Sequence, residues 1–592
     1  MISRGVSLTL MAAGLLAVGL ISPATALAAF PCRQGDDAWV WTAPLRPLPG
    51  VPLEVMAVAT SGDLDQILIT DPGGRQTGLR TSRGGGPPWN LHGTLSEPKP
   101  GAYRIEATRG GRVLACAEIK VGGGAGDRGS GEWDLAAQAL YAAWIERLFD
   151  APPNESLSFP SLAPVLANPG RNFLYDYLGT GEDRRLPAEP DCADLSYFLR
   201  AYFAWKLGLP IAYRSCSRGS RDSPPRCEAP LIDQAFAGPP APAGTFRDVS
   251  RRLMDKVHSG SGRTALRDEA TDFYPVPLDR AALWPGTLYA DPYGHTLILV
   301  KWIPQTAGHS GLLLAVDAQP DNSVSRKRFW EGTFLFAETP SAGPGFKAHR
   351  PLVARGPGPR LPTNGDLDGR DGIPPYSTEQ ASLSPADFYA RMEHLINPRG
   401  LDPEAAYDAT LAALMEQIET RVTSVDNGET YMRAHPGAQV PMPSGPAIFE
   451  TTGPWEDYAT PSRDMRLLIA LQVLEGLPDR IRRYPELYVL RGEGPAAAAP
   501  RIERLHARRI QERFVGYTRS DGSPWRLSLA DLYARRAGLE VGYNPNDCVE
   551  RRWGASPGTQ DYATCRRQAP AEQGKRMEEY RPWFREARRP PR

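Results

Sequence analysis

The chain has 592 residues, with 68 Lys and Arg balancing 68 Asp and Glu, 41% hydrophobic and 23% charged residues. That length calls for several domains rather than one core. The balanced charge gives no support to a nucleic-acid binder or a protein of acidic membrane surfaces, and 58 Gly and 59 Pro predict many loops and connectors.

In chain order, residues 1–28 read as a secretory signal peptide. Arg4 precedes an apolar run from Val6 to Ile21, then Pro23 and the small-residue site Ala26-Leu27-Ala28. The run is short for a span of about 20 residues, and no other apolar run approaches that length. The mature chain is therefore expected to be exported, periplasmic or extracellular, with no transmembrane segment. Export permits disulfides. By neighbourhood the seven cysteines group as Cys32 with Cys116, Cys216 with Cys227 and Cys548 with Cys565, which leaves Cys192 over.

Residues 29–121 carry short β-branched runs, "VPLEVMAVAT", "DQILITD", "GAYRIEAT" and "RVLACAEIKV", separated by Gly, Pro and Asp. This spacing predicts a β-sandwich. Residues 122–132 read as a Gly-rich flexible linker. They contain Gly124, Gly126 and Gly129 in dinucleotide-loop spacing, but no second parallel strand follows, so no nucleotide cofactor is expected. Residues 133–340 form an α+β region: a helix over 133–149, a second after Cys192, a third at 247–258, and strands over 286–317. Residues 341–383 read as a Pro/Gly-rich linker, and 384–592 as a mainly helical accessory domain whose helices include "RIERLHARRIQERFVGY". The fold class is thus multidomain α+β.

The chemistry centres on "AEPDCADLSYFLRAYFAWKLGLP", residues 188–210. Leu195, Phe198, Leu199, Tyr202 and Trp205 fall at helical spacing, Asp191 is an N-cap residue, and Gly208 stops the helix. Cys192 then lies in the first turn. There the helix dipole should lower the thiol pKa, and free backbone N–H groups could hold an oxyanion. Among eight histidines, only His295 opens a strong strand, "HTLILVKWI". Pairing 295–303 with 311–317 around a turn centred near Ala307 sets His295 opposite Gln319, with Asp317 diagonal on the same face. Asp317 is preferred to Gln319 as the group that orients the imidazole, because a carboxylate also stabilises imidazolium.

The stretches "NFLYDYLGTGEDRRLPAEPDCADLSYFL" and "WPGTLYADPYGHTLILV" resemble the NlpC family of cell-wall cysteine peptidases. The resemblance implies a papain-like domain, with Cys192 as nucleophile, His295 as base, a polar residue of the next strand as orienter, and Tyr175 as a tyrosine near the nucleophile. It covers about 140–320. Gly286-Thr287 stands where the family has Gly-Asp. The 103 residues between Cys192 and His295 include an insertion holding Cys216 and Cys227. The helix ending "GLPIAYR", followed by a His-led strand and an Asp, is also similar to transglutaminase-like proteins. The first resemblance implies a peptide or cell-wall substrate, the second acyl transfer or proteolysis on proteins. An inactive envelope scaffold is the reading outside enzymology.

Other motifs are bland. "NGDLDGRDGIP" sets Asn364, Asp366, Asp368 and Gly369 at calcium-loop positions, but Pro375 stands where a bidentate Glu belongs, so it reads as a polar turn. No zinc or phosphate-loop motif occurs, and no metal or cofactor is expected. The basic stretches "RLHARR" and "REARRPPR" read as solvated helix face and tail. The sequence does not define an oligomeric state.

Overall fold

The computed structural model describes residues 31–590 other than 320, 355–358, 370 and 450–452; the signal segment read at 1–28 lies outside the described residues. Eight strands come first: β1 (Ala38–Ala43), β2 (Leu53–Ala59), β3 (Gln66–Thr70), β4 (Gln76–Gly78), β5 (Thr81–Arg83), β6 (Trp89–Leu95), β7 (Gly101–Arg109) and β8 (Arg112–Val121). They form two four-stranded antiparallel sheets, ordered β1-β2-β6-β5 and β4-β3-β7-β8. Val55, Ala57, Ile67, Ile69, Ile105 and Ala115 fill one core with residues of both. Their β-branched runs reveal β2, β3, β7 and β8 from sequence. β6, "WNLHGTL", mixes Asn, His and Gly into its run and is found by its pairing with β2. The Cys32–Cys116 disulfide fastens the segment before β1 to β8, and Cys216–Cys227 and Cys548–Cys565 are formed as their neighbourhoods predict.

Other side chains of β1 and β2, among them Trp39, Met56 and Val58, share a second core with helix α1 (Leu135–Leu148). The Gly-rich stretch between them is not a free tether, contrary to its composition. The Gly122 and Gly126 N–H groups donate to Pro47 O and Leu45 O, and the Arg128 guanidinium reaches the carbonyls of Trp205, Lys206 and Gly238. The first two belong to the last turn of a helix, where carbonyls lack intrahelical donors.

That helix is α3 (Asp194–Leu207), after β9 (Ser158–Phe159) and the single turn α2 (Ala163–Leu166). Its predicted apolar stripe is buried, but so is the rest of it: Ser196, Arg200 and Lys206 are all under a tenth exposed. The buried charges carry partners. Lys206 Nζ donates to Glu182 Oε1 at 2.6 Å and Asp183 Oδ2 at 2.7 Å, all three side chains being 0% exposed. Tyr202 Oη donates to Asp183, and Asn172 bridges Trp144, Leu166 and Tyr202. This polar network fastens the 166–183 loops to α3, and Trp144 stacks on Tyr202 at 5.5 Å.

The chain continues through β10 (Ile211–Tyr213), β11 (Leu231–Asp233), α4 (Ala243–Met254) and α5 (Ser259–Gly262) to β12 (Phe273–Pro275), β13 (Leu288–Ala290), β14 (Thr296–Ile303), β15 (Leu312–Ala318), β16 (Val324–Arg328) and β17 (Gly345–His349). The predicted helix at 247–258 thus begins four residues earlier, immediately after Pro242. Seven strands make one antiparallel sheet, ordered β12-β17-β13-β14-β15-β16-β9. The linker expected at 341–383 is overturned here. β17 lies between β12 and β13, and Gln380, 0% exposed, bonds Phe346 N, Phe346 O and Val276 O. Pro and Gly around "GFKAH" conceal a strand whose partners are distant in sequence.

From Ser384 the chain is mainly helical: α6 (Pro385–Ile396), α7 (Pro403–Ala434), α8 (Pro454–Tyr458), α9 (Pro461–Glu475), and helices at Leu477–Arg483, Pro495–Glu512 and Ala571–Arg585. The helix read through "FVGY" stops at Glu512. Phe514–Thr518 instead pairs with Pro524–Ser528 as a hairpin. A separate core includes Tyr407, Leu414, Leu471 and Trp553. Among the described residues no helix is long and apolar enough to cross a membrane.

The Lys206 network supplies a stability test. Lys206→Met leaves two carboxylates buried without their cation, a loss expected at about 3–5 kcal/mol. A guanidinium titration followed by tryptophan fluorescence should show the transition moving to lower denaturant. A change below about 1 kcal/mol would assign the network no structural weight.

Candidate active site

α3 begins at Asp194 with Ala193 as its N-cap, three residues after the Asp191 start that the sequence implies; Asp191 instead organises the turn that leads into it. Asp191 Oδ1 accepts from Ala193 N at 2.8 Å and Asp194 N at 2.9 Å, and its carbonyl accepts from Leu195 N at 3.0 Å. Cys192 therefore lies in the turn that enters α3, two residues before its first residue, half-buried, and is the free cysteine among the described residues. The same capping bonds revise the expected oxyanion site. The amides of residues 193–195 are engaged by Asp191, which leaves Cys192's own N–H as the donor in this entering turn that Asp191 does not take.

His295 is delivered by a turn. In Asp291-Pro292-Tyr293-Gly294, Asp291 N donates to His295 O at 2.9 Å, Asp291 Oδ1 accepts from Tyr293 N at 2.6 Å, and Gly294 takes φ +111°, which favours glycine. Upstream, Gly286 (φ +93°) lets β13 pass Tyr141, whose ring carbon would lie 2.6 Å from an added Cβ. Beyond His295, the Thr296 hydroxyl donates to the Cys192 carbonyl, and the Thr296 backbone N–H faces the Cys192 sulfur. Adjacent residues thus carry the histidine and hold the cysteine.

The hairpin reaches its predicted register by a detour. Ile303 pairs with Leu312 and Lys301 with Leu314; a bulge at Val300 then shifts the ladder, so that Leu299 pairs with Ala315 and Ile298 with Val316. Extending this register sets His295 opposite Gln319. His295 Nε2 lies 3.0 Å from Asp317 Oδ2, which leaves Nδ1 as the other ring nitrogen. Gln319 Nε2 donates to the same oxygen at 2.6 Å, and Ser325 Oγ to Oδ1 at 3.0 Å. Asp317 and Gln319 are thus not alternatives: one binds the imidazole and the other braces the carboxylate. Burial alone would raise Asp317, but Lys327, His295 and Ser325 outweigh it and hold the carboxyl below its usual range.

The thiol contradicts its expectation. Burial first, then the charges of Asp191, Asp317 and Asp194, push Cys192 up to about 12 against the pull of the Thr296 N–H. The helix entry that should favour a thiolate is surrounded by carboxylates, which act against the dipole. Tyr175, on the turn after Asn172, is half-buried and takes no part in the hydrogen bonds joining the other three residues.

The helical region reaches this site, which its sequence does not reveal. Arg466 of α9 binds Asp291 Oδ2 at 2.5 Å and Thr333 O at 2.7 Å, and Asp291 is 0% exposed. The turn that presents His295 is thereby tied to α9. Burial lowers Arg463, one turn earlier, while Asp321, Asp464 and Asp317 oppose that shift. Asp191 is among the charges that raise Glu456 on α8.

Elsewhere, Asp366 binds Arg360 at 2.9 Å and both Thr363 donors, and Asn364 accepts from Arg350, so this polar turn is organised by arginine. Cys548 and Cys565 lie near Glu550 at ligand-like spacing, but their sulfurs are bonded to each other. No family model, curated protein or solved structure matches the chain.

Asp194 offers a pH test. Burial and the Asp191 charge raise its carboxyl to about 8. Between an unfolded value of about 4 and the folded value near 8, the native state holds a proton that the unfolded chain has released. Its contribution to stability is therefore lost as pH rises through that window. Asp194→Asn should gain stability over the parent at pH 9 but not at pH 4, as read by urea denaturation. An equal difference at both pH values would contradict the assignment.

Proposed function

We propose that the chain is an exported cysteine hydrolase of amide bonds, periplasmic or extracellular, with a papain-like central region between an N-terminal β-sandwich and a helical accessory region. The observation that carries this reading is the linkage of Cys192 to Thr296 at the helix start, beside His295 held by Asp317. A neutral thiol at rest fits general-base chemistry. The Cys192 sulfur attacks the carbonyl carbon as its proton passes to His295 Nδ1. The leaving amine departs with that proton, and water then cleaves the thioester with the same imidazole as base. Asp317 fixes the tautomer and stabilises the imidazolium. The three disulfides are compatible with an oxidising compartment.

The substrate class follows from the NlpC resemblance: peptidoglycan stem peptides. The second reading is acyl transfer of transglutaminase type, favoured by the direct passage of α3 through Gly208 into β10. An assay on purified cell-wall fragments, casein, and casein with a fluorescent primary amine separates them. Release of stem peptides, abolished in Cys192→Ala and lowered about a hundred- to ten-thousand-fold in Asp317→Asn, is the expected result. Amine incorporation would select the second reading. Inactivity on all three, or turnover that survives Cys192→Ala, would overturn the cysteine-hydrolase proposal and favour the scaffold.

A further inference from the structure

A cavity of about 450 Å³ lies between the Pro292–Tyr293 turn and the C-terminal segment around Arg588 and Arg589. Its charge is one-sided. Arg221, Arg263, Arg588 and Arg589 line it, against the two carboxylates of Asp222 and Glu338. The arginines come from both sides of the interface: Arg221 and Arg263 from the region that carries the sheet, Arg588 and Arg589 from the tail of the helical region. Arg263 forms a buried part of the lining, 2% exposed, whereas Arg221 and Arg588 are exposed. Arg589 is set in place by its surroundings. It donates to Tyr293 O at 3.2 Å and lies 5.1 Å from the Tyr293 ring centre and 4.7 Å from that of Phe449.

Behind Arg263 lies Lys347, whose Nζ donates to Thr264 O at 2.8 Å. Lys347 is 0% exposed, and burial together with the Arg263 charge, against the pull of Asp268, pushes its ammonium down to about 7. Guanidinium groups converging on a cavity from two regions match carboxylate or phosphate oxygens through paired N–H donors.

We propose that this cavity is an anion-binding subsite for a ligand group carrying two or more negative charges, as clustered carboxylates or as phosphate. Tyr293 lies two residues from His295, so the group would belong to the molecule being cleaved; that last step rests on the hydrolase reading, and the binding itself does not. The site also gives the helical region a role in ligand recognition.

Isothermal titration of the full chain at low ionic strength, with citrate as the carboxylate probe and pyrophosphate as the phosphate probe, tests it. At least one should bind, and the tighter of the two identifies the chemistry. Arg221→Ala with Arg588→Ala, two exposed positions chosen to spare the fold, should weaken that probe at least ten-fold, and Lys at both positions should restore part of the affinity. Cys192→Ala should bind like the parent, so a failed hydrolase assay leaves this result intact. Absence of binding by both probes, or affinity unchanged in the double alanine variant, would overturn the subsite.

Discussion

The contact on which the site depends is the bond from the Thr296 hydroxyl to the Cys192 carbonyl. It joins the turn that enters α3 to the first residue of β14, two points 104 residues apart in the chain. Cys192 and His295 both lie within a residue of that bond: the sulfur on one side, the imidazole on the other. A helix buried all round and a central strand of a seven-stranded sheet are stiff supports, and rigid supports favour reactive geometry over loop-borne placement. The segment between them, with its Cys216–Cys227 bridge, leaves the two ends in contact.

A second constraint acts on the histidine side. Asp291 is buried, accepts from Tyr293 N within its own turn, and is paired with Arg466 of α9. A buried ion pair is weak grounds for net stability, yet removing one partner leaves an uncompensated charge. The pair therefore reports registry: α9 must sit in one place for the His295 turn to be satisfied. The region that looked like an accessory domain is thus continuous with the site, through this pair and through the charges of Arg463 and Glu456.

What was legible in the sequence was local. Pro190-Asp191 announced a helix, which starts three residues later at Asp194, Gly294-His295 before a β-branched run announced a strand start, and the short hairpin from His295 to Asp317 fixed a register. Even there the agreement needed the bulge at Val300, which compensates a turn centred half a residue beyond Ala307. What was not legible was set by distant chain. β17 is a strand because β12 and β13 flank it. Lys206 is buried because Glu182 and Asp183 meet it. The Cys192 thiol is raised rather than lowered because burial and three nearby carboxylates outweigh a helix dipole that sequence alone could invoke.

The central claim is that a neutral thiol at Cys192 is activated by His295. Its most direct test is the rate of Cys192 alkylation by iodoacetamide at pH 7, followed by mass spectrometry of the intact disulfide-bonded protein. The account predicts selective modification of Cys192 in the parent and a rate at least ten-fold lower in His295→Ala. Equal rates in the two proteins would contradict it.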